Sequence, residues 1–203
     1  MKVIRQYLKK DKPYSLREAL ADCLLDKTER GKAFVYKTYY GYAMAVVLRY
    51  VQAEMEAEEI VNESFVKVFR KLNAFEMHAE DSVLEKTFKS WLARIAVNTS
   101  IDVLRAKKPT DMLEDTSEAD LQMHAVMITD NLAVQDILKL LDRIPEVQRS
   151  IFNLFEIEGY SHEEIGQMLE IPESTSRTYL TRAKQRLRKL YMEEFSTIKN
   201  IHS

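Results

Sequence analysis

A chain of 203 residues, 46% hydrophobic and 31% charged, suits a soluble globular protein of one large domain or two small ones. Four glycines and four prolines are too few for a sheet protein built on tight turns, and one cysteine builds no disulfide framework. A formal charge of −2 and a pI near 6.1 do not announce a nucleic-acid binder, and no apolar run reaches membrane-spanning length.

The start, MKVIRQYLKKDK, lacks the apolar stretch of a signal peptide, so a reducing cytoplasmic setting is expected. Leu16, Leu20, Cys23 and Leu24 then share one helical stripe, where Cys23 packs as a small hydrophobe, and residues 28–31 read as a break. A second helix, rich in Tyr, Val and Ala, is expected from about Lys32 to Gln52. The third, AEEIVNESFVKVFRKLNAF, turns Ile60, Val61, Ser64, Phe65, Val68, Phe69 and Leu72 inward. It leaves Glu58, Glu59, Asn62, Glu63 and Lys67 outside. Residues 73–86 sustain no period and are expected to form a loop. In TFKSWLARIAVNTSIDVLRAKK, Phe88, Leu92, Ile95, Thr99 and Val103 form an inner stripe. Arg94, Asn98, Arg105 and Lys108 step along the outer one. Pro109 should end that helix.

Between Thr110 and Asp130 the composition turns acidic: Asp111, Glu114, Asp115, Glu118, Asp120 and Asp130, without one Lys or Arg. Such a tract between helical blocks is a linker, although Leu113 and Leu121 could dock it on something. The architecture expected is all-α, with small helical domains at 1–108 and 131–203 joined by the acidic linker 109–130. No shared core is expected to fix their relative placement.

Two helices, Leu132 to Ile144 and Pro145 to Glu158, carry Ile151, Phe152, Leu154 and Phe155, enough to roof the helices beyond Gly159. Ser161 with Glu164 three residues on is a capping-box start. Ile171-Pro172 then interrupts the helix, with the proline suited to the first position of the next. That next helix sets Leu180, Ala183, Leu187 and Leu190 on one stripe and Arg177, Thr178, Thr181, Arg182 and Gln185 on another. Six basic residues and no acid lie between Ser174 and Leu190. Two short helices around a tight turn, the second basic outside, make a helix-turn-helix. Gly166, Glu170 and Ser176 depart from its usual alanine, turn glycine and buried apolar residue.

No catalytic constellation emerges. His78, His124, His162 and His202 are scattered, and the glutamates at 54–63 lack the inward Glu-x-x-His pairs of a bundle metal site. No Gly-rich phosphate loop is present either, so no enzyme and no cofactor are expected.

Taken in order, AEEIVNESFVKVFRKL, FKSWLARIAVNTSIDVLR and IPEVQRSIFNLFEIEGYSHEEIGQMLEIPESTSRTYLTRAKQRLRKL resemble bacterial RNA polymerase sigma factors of the extracytoplasmic-function (ECF) group. The resemblance covers roughly residues 30–108 and 131–191. It implies sigma region two in the first domain and region four in the second. It also implies that Glu59, Asn62 and Glu63 face the clamp helices of core polymerase, with the polymerase flap a further contact. Arg94, Asn98, Arg105 and Lys108 would serve the minus-ten element, near aromatics Phe75, Phe88 and Trp91 that belong to the core first. Ser174, Thr175, Arg177, Thr178, Thr181, Arg182 and Lys184 would serve the minus-thirty-five element, with the two arginines on guanine edges. An anti-sigma protein is a further expected partner, and direct membrane insertion is not expected. Two other classes stay open: a helix-turn-helix regulator that acts without becoming a polymerase subunit, and a helical protein–protein adaptor.

Overall fold

The computed structural model describes residues 14–25, 29–107 and 139–201, with side chains up to residue 194; the acidic linker, Leu113, Leu121 and Lys108 lie outside them. Among the described residues every regular element is helical. Helix α1 (Leu16–Leu24) starts at Ser15, whose hydroxyl accepts the Glu18 N–H at 3.3 Å while the Glu18 carboxylate accepts the Ser15 N–H at 2.8 Å. Arg17 of this helix donates to the His78 and Ala79 carbonyls and pairs with Asp81, pinning the loop that precedes α4.

Helix α2 (Glu29–Val47) begins earlier than its sequence pattern suggests, and Gly31 is not a break. A Cβ there would lie 2.5 Å from the Ala19 carbonyl oxygen, so the glycine lets α1 and α2 cross in contact. Helix α3 (Glu54–Lys71) buries Ile60, Val61, Ser64, Phe65 and Val68, and a 3₁₀ turn over Leu72–Ala74 carries it toward the loop. Helix α4 (Asp81–Ala106) starts within the stretch expected to be loop. Leu84, 1% exposed, extends the Phe88–Leu92 stripe by one turn, so packing settles what the polar sequence around it hides.

Beyond the linker, 139–141 form a helical turn. Helix α5 (Glu146–Phe152) runs into a π-helical turn over Asn153–Ile157, and α6 (His162–Leu169) and α7 (Glu173–Ile201) make the helix-turn-helix. Pro172 stands just before α7, where its carbonyl accepts the Thr175 and Ser176 N–H groups, one place ahead of the position its ring suggested.

The expectation of two unshared cores is corrected. Ile151, Leu154, Ile165, Leu169, Tyr179 and Leu180 belong to the same buried cluster as Val35, Val47, Phe65, Phe88 and Leu92. The apolar faces of α5 and α6 are too wide to be covered by α7 alone, and the N-terminal half covers the remainder. A smaller satellite holds Leu140, Leu141, Ile144, Ala183 and Leu187.

Candidate nucleic-acid interface

The three departures from the usual helix-turn-helix form one local solution. Ser161 Oγ accepts the Glu164 N–H at 3.2 Å and the Glu164 carboxylate accepts the Ser161 N–H at 2.8 Å, which holds the Glu164 carboxyl below its ordinary pKa. Helix α6 then ends on Glu170 at φ 56° and ψ 42°, the sole non-glycine at positive φ among the described residues. A residue with a Cβ accepts that left-handed geometry at a cost of roughly 1–2 kcal/mol. The glycine stands instead at Gly166, where a Cβ would come within 2.9 Å of the Ile171 carbonyl as the chain returns. Ser176 is fully buried, and its hydroxyl lies 2.9 Å from His162 Nδ1, whose ring stacks on Phe155 at 4.4 Å. Burial, with the Arg177 charge nearby, lowers the His162 pKa and favours the neutral ring.

This motif presents one face of α7. Ser174, Arg177, Thr178, Thr181 and Lys184 are exposed there, with Thr175 and Arg182 half-buried beside them. Thr178 and Thr181 donate their hydroxyl protons to the Ser174 and Arg177 carbonyls, each at 3.0 Å. A phosphate oxygen can only accept, so either hydroxyl must leave its carbonyl to contact one. Arg177 pairs with Glu173 on its own first turn, Lys184 pairs with Glu156 at 2.6 Å, and Arg182 lies 5.9 Å from the Tyr179 ring centre.

The second basic face lies on α4, and it looks toward α6. Exposed Arg94 and Ser90 line a cleft of about 260 Å³ whose other wall is Glu158, Gly159, Tyr160 and Glu164. Arg105 pairs with Asp102 at 3.2 Å and with Glu170 at 3.4 Å. Lys107 bonds Glu56 at 2.6 Å, tying the end of α4 to the start of α3, and Asn98 is exposed between the arginines. Residue-by-residue reading misses these acidic partners. Their signal is nonetheless present, since Glu163, Glu164 and Glu170 punctuate the first helix of the motif. Trp91 is half-buried against Phe75 at 5.0 Å and Phe88 at 6.1 Å, and Phe75 and Phe88 are buried in the core.

A third face is acidic. Glu59, Asn62 and Glu63 are exposed together on α3, next to Val66 at 40% exposure. Asn62 accepts a 2.8 Å hydrogen bond from Tyr36, whose ring packs on Phe65, so this face is braced from behind by α2. Among the described residues no His, Cys, Asp and Glu cluster could hold a metal, and no helix is long and apolar enough to cross a membrane.

Known families match these halves in the same order. The pattern of Sigma-70 region 2 matches residues 35–110, and that of Sigma-70, region 4 matches residues 135–187. The ECF RNA polymerase sigma factor SigW of Bacillus subtilis is 30% identical over 146 residues, 66% of this chain and 74% of the relative. This chain belongs to the ECF RNA polymerase sigma factors. Other relatives agree across more of its length. RNA polymerase sigma-H factor of Pseudomonas aeruginosa is 27% identical over 182 residues, covering 82% of this chain and 91% of its own. The sigma-E factor of Haemophilus influenzae is 28% identical over 188 residues, 84% and 95% of the two chains. The solved complex of the sigma factor RpoE with the anti-sigma factor NepR from Bartonella quintana matches at TM-score 0.44 and 21% identity, covering 81% and 98%. In this sigma factor, α6 and α7 are thus the helix-turn-helix of region four, and α3 and α4 lie in region two.

Proposed function

We propose that this sigma factor docks on core polymerase through the acidic face of α3, with Glu59, Asn62 and Glu63 meeting a basic helical surface. Region two then reads the minus-ten element through Arg94, Asn98, Arg105 and Lys108. Region four reads the minus-thirty-five element through α7. Arg177 and Arg182 are the base-reading candidates, because guanidinium spans guanine O6 and N7. Ser174, Thr175, Thr178 and Thr181 serve phosphates or thymine methyls, and Lys184 serves phosphate. The observation that carries the reading is the order of matches on one chain, region two then region four, combined with a capped helix-turn-helix whose second helix turns its bases outward.

On this reading the protein is a non-enzymatic initiation factor of the cytoplasm that needs no cofactor, and an anti-sigma protein is its expected antagonist. Run-off transcription from a promoter library, with purified core polymerase, tests the proposal directly. Transcripts that appear only with both components support it. Tight, sequence-specific binding by the free chain with no polymerase-dependent transcript would favour a conventional regulator.

A further inference from the structure

The exposed stripe of α3 contains one residue that a helix does not favour. Glu59, Asn62, Glu63 and Val66 follow one another at helical spacing on the face proposed to meet core polymerase. Glutamate is a good helix former, whereas asparagine at an exposed mid-helix position competes with the backbone for hydrogen bonds. Its place here is explained by a residue on another helix. The Tyr36 hydroxyl of α2 donates to Asn62 Oδ1 at 2.8 Å, across 26 positions of sequence.

Tyr36 is itself held in place. Its ring lies 4.9 Å from that of Phe65, which is 2% exposed, and 5.3 Å from that of Tyr40, one turn further along α2. Burial raises the Tyr40 pKa, and the Glu58 and Glu54 carboxylates raise it further, so the aromatic pair runs along the seam beside the acidic stripe.

An amide is asymmetric: its oxygen only accepts, its nitrogen only donates, and a half-turn exchanges them. With Oδ1 taken by Tyr36, the Nδ2 N–H groups of Asn62 are turned away from that hydroxyl, and among the described residues nothing accepts them. The stripe therefore offers a hydrogen-bond donor between Glu59 and Glu63, where carboxylates alone would offer only acceptors. Resting on the docking role proposed for α3, we propose that Tyr36 is a positioning residue for core-polymerase binding, which fixes the Asn62 amide with its donors outward. Tyr36 needs no contact with the polymerase, because it acts through Asn62. The partner group opposite Asn62 is then an acceptor, a carbonyl or a carboxylate.

A double-mutant cycle on the full chain tests the proposal, with affinity for purified core polymerase and thermal melting read on every variant. Tyr36→Phe keeps the ring and removes only the hydroxyl. It should weaken core binding by about three- to tenfold, the worth of one net hydrogen bond, and leave the melting temperature almost unchanged. Asn62→Ala should weaken binding at least as much, and adding Tyr36→Phe to it should cost nothing further. A loss of the same size in both backgrounds, or no loss from Tyr36→Phe, would overturn the positioning role. Asn62→Asp covers a Tyr36→Phe variant that fails to fold, because its carboxylate still accepts from Tyr36 but carries no donor. If charge alone decided docking, this added acid would tighten binding to a basic surface, whereas loss of the donor should weaken it to about the level of Asn62→Ala. Binding by Asn62→Asp as tight as wild type or tighter would overturn the inference whatever Tyr36→Phe does. Reversing Glu59 and Glu63 to Lys scores the docking reading separately. If core binding survives that reversal, the docking reading falls and this inference with it. If the reversal abolishes binding while the cycle shows no coupling, the positioning role alone fails.

Discussion

The acidic face of α3 and the basic face of α4 flank the same core, yet the chain treats them in opposite ways. Glu59 and Glu63 stand exposed, while Arg105 and Lys107 are paired within the chain and Arg94 looks onto two glutamates of region four. A closed chain therefore offers a surface to a basic partner before it offers one to phosphates. On the proposed roles of these faces, the contrast implies an order of events, with polymerase first and promoter second. The largest expected effect comes from removing the open face. If Glu59 and Glu63 meet a basic helix as proposed, reversing both to Lys sets like charges against it, at a cost of several kcal/mol. Co-purification with core polymerase should be lost while the helical circular-dichroism signal stays, and normal co-purification would remove α3 from consideration.

Region four supplies an intermediate case, since Arg177 and Lys184 are exposed yet have acidic partners within the chain. Arg177→Ala and Arg182→Ala should each weaken recognition of particular bases by about 1–3 kcal/mol. Lys184→Ala should weaken binding evenly across sequences and reduce the salt dependence by about one counterion. Selection from a randomised upstream element reads both. Arginine variants that keep the wild-type preference would take α7 out of base readout.

Legibility in the sequence tracks the range of the interactions involved. The inner stripes of α3 and α4, the Ser161 capping box and the helix-turn-helix depend on neighbours three or four residues away, so periodicity exposes them. Gly31 reads as a break because its role is set by Ala19 on another helix, and no local pattern encodes that approach. The extra turns at the start of α4 are polar apart from Val83 and Leu84, and Arg17 from α1 helps to hold them. Ser176 resembles a defect until His162, 14 residues away, supplies its partner. The candidate residues are reachable one at a time. That α4's bases face α6's acids is not, because it depends on how the halves pack.

Glu170 sharpens the comparison with a smaller effect of mixed sign. Replacing it with Gly relieves the left-handed backbone and should stabilise the helix-turn-helix by about 1 kcal/mol. The same change removes a partner of Arg105 and should make the α4 face more available to DNA. Thermal melting and polymerase-free binding to single-stranded promoter DNA should thus both increase. Gly166→Ala should act oppositely on stability, since its Cβ meets backbone at 2.9 Å. A Glu170→Gly variant with a lower melting temperature would mean that its ion pair outweighs backbone strain.

The smallest effect separates the groups that brace region four from the acids that face α4, and it is read by pH. Burial, chiefly, lowers the His162 pKa from its ordinary value of 6.5. Below that value the unfolded chain takes up a proton that the folded chain refuses, so stability falls as pH falls from about 6.5 toward the folded pKa. The hydrogen bonds from Ser161 lower the Glu164 pKa from 4.5. That contribution is fully present above about pH 4.5 and is lost as pH falls through the folded value, so both slopes have the same sign. Acid melting curves should therefore bend once near pH 6.5 and again below pH 4.5. His162→Gln should remove the first bend and leave the second. Ser161→Ala should lower stability at neutral pH by about 1 kcal/mol, the worth of a helix cap, and only reduce the second bend, because the Ser161 N–H still donates to the Glu164 carboxylate. If the upper bend survives His162→Gln, the buried ring is not its source.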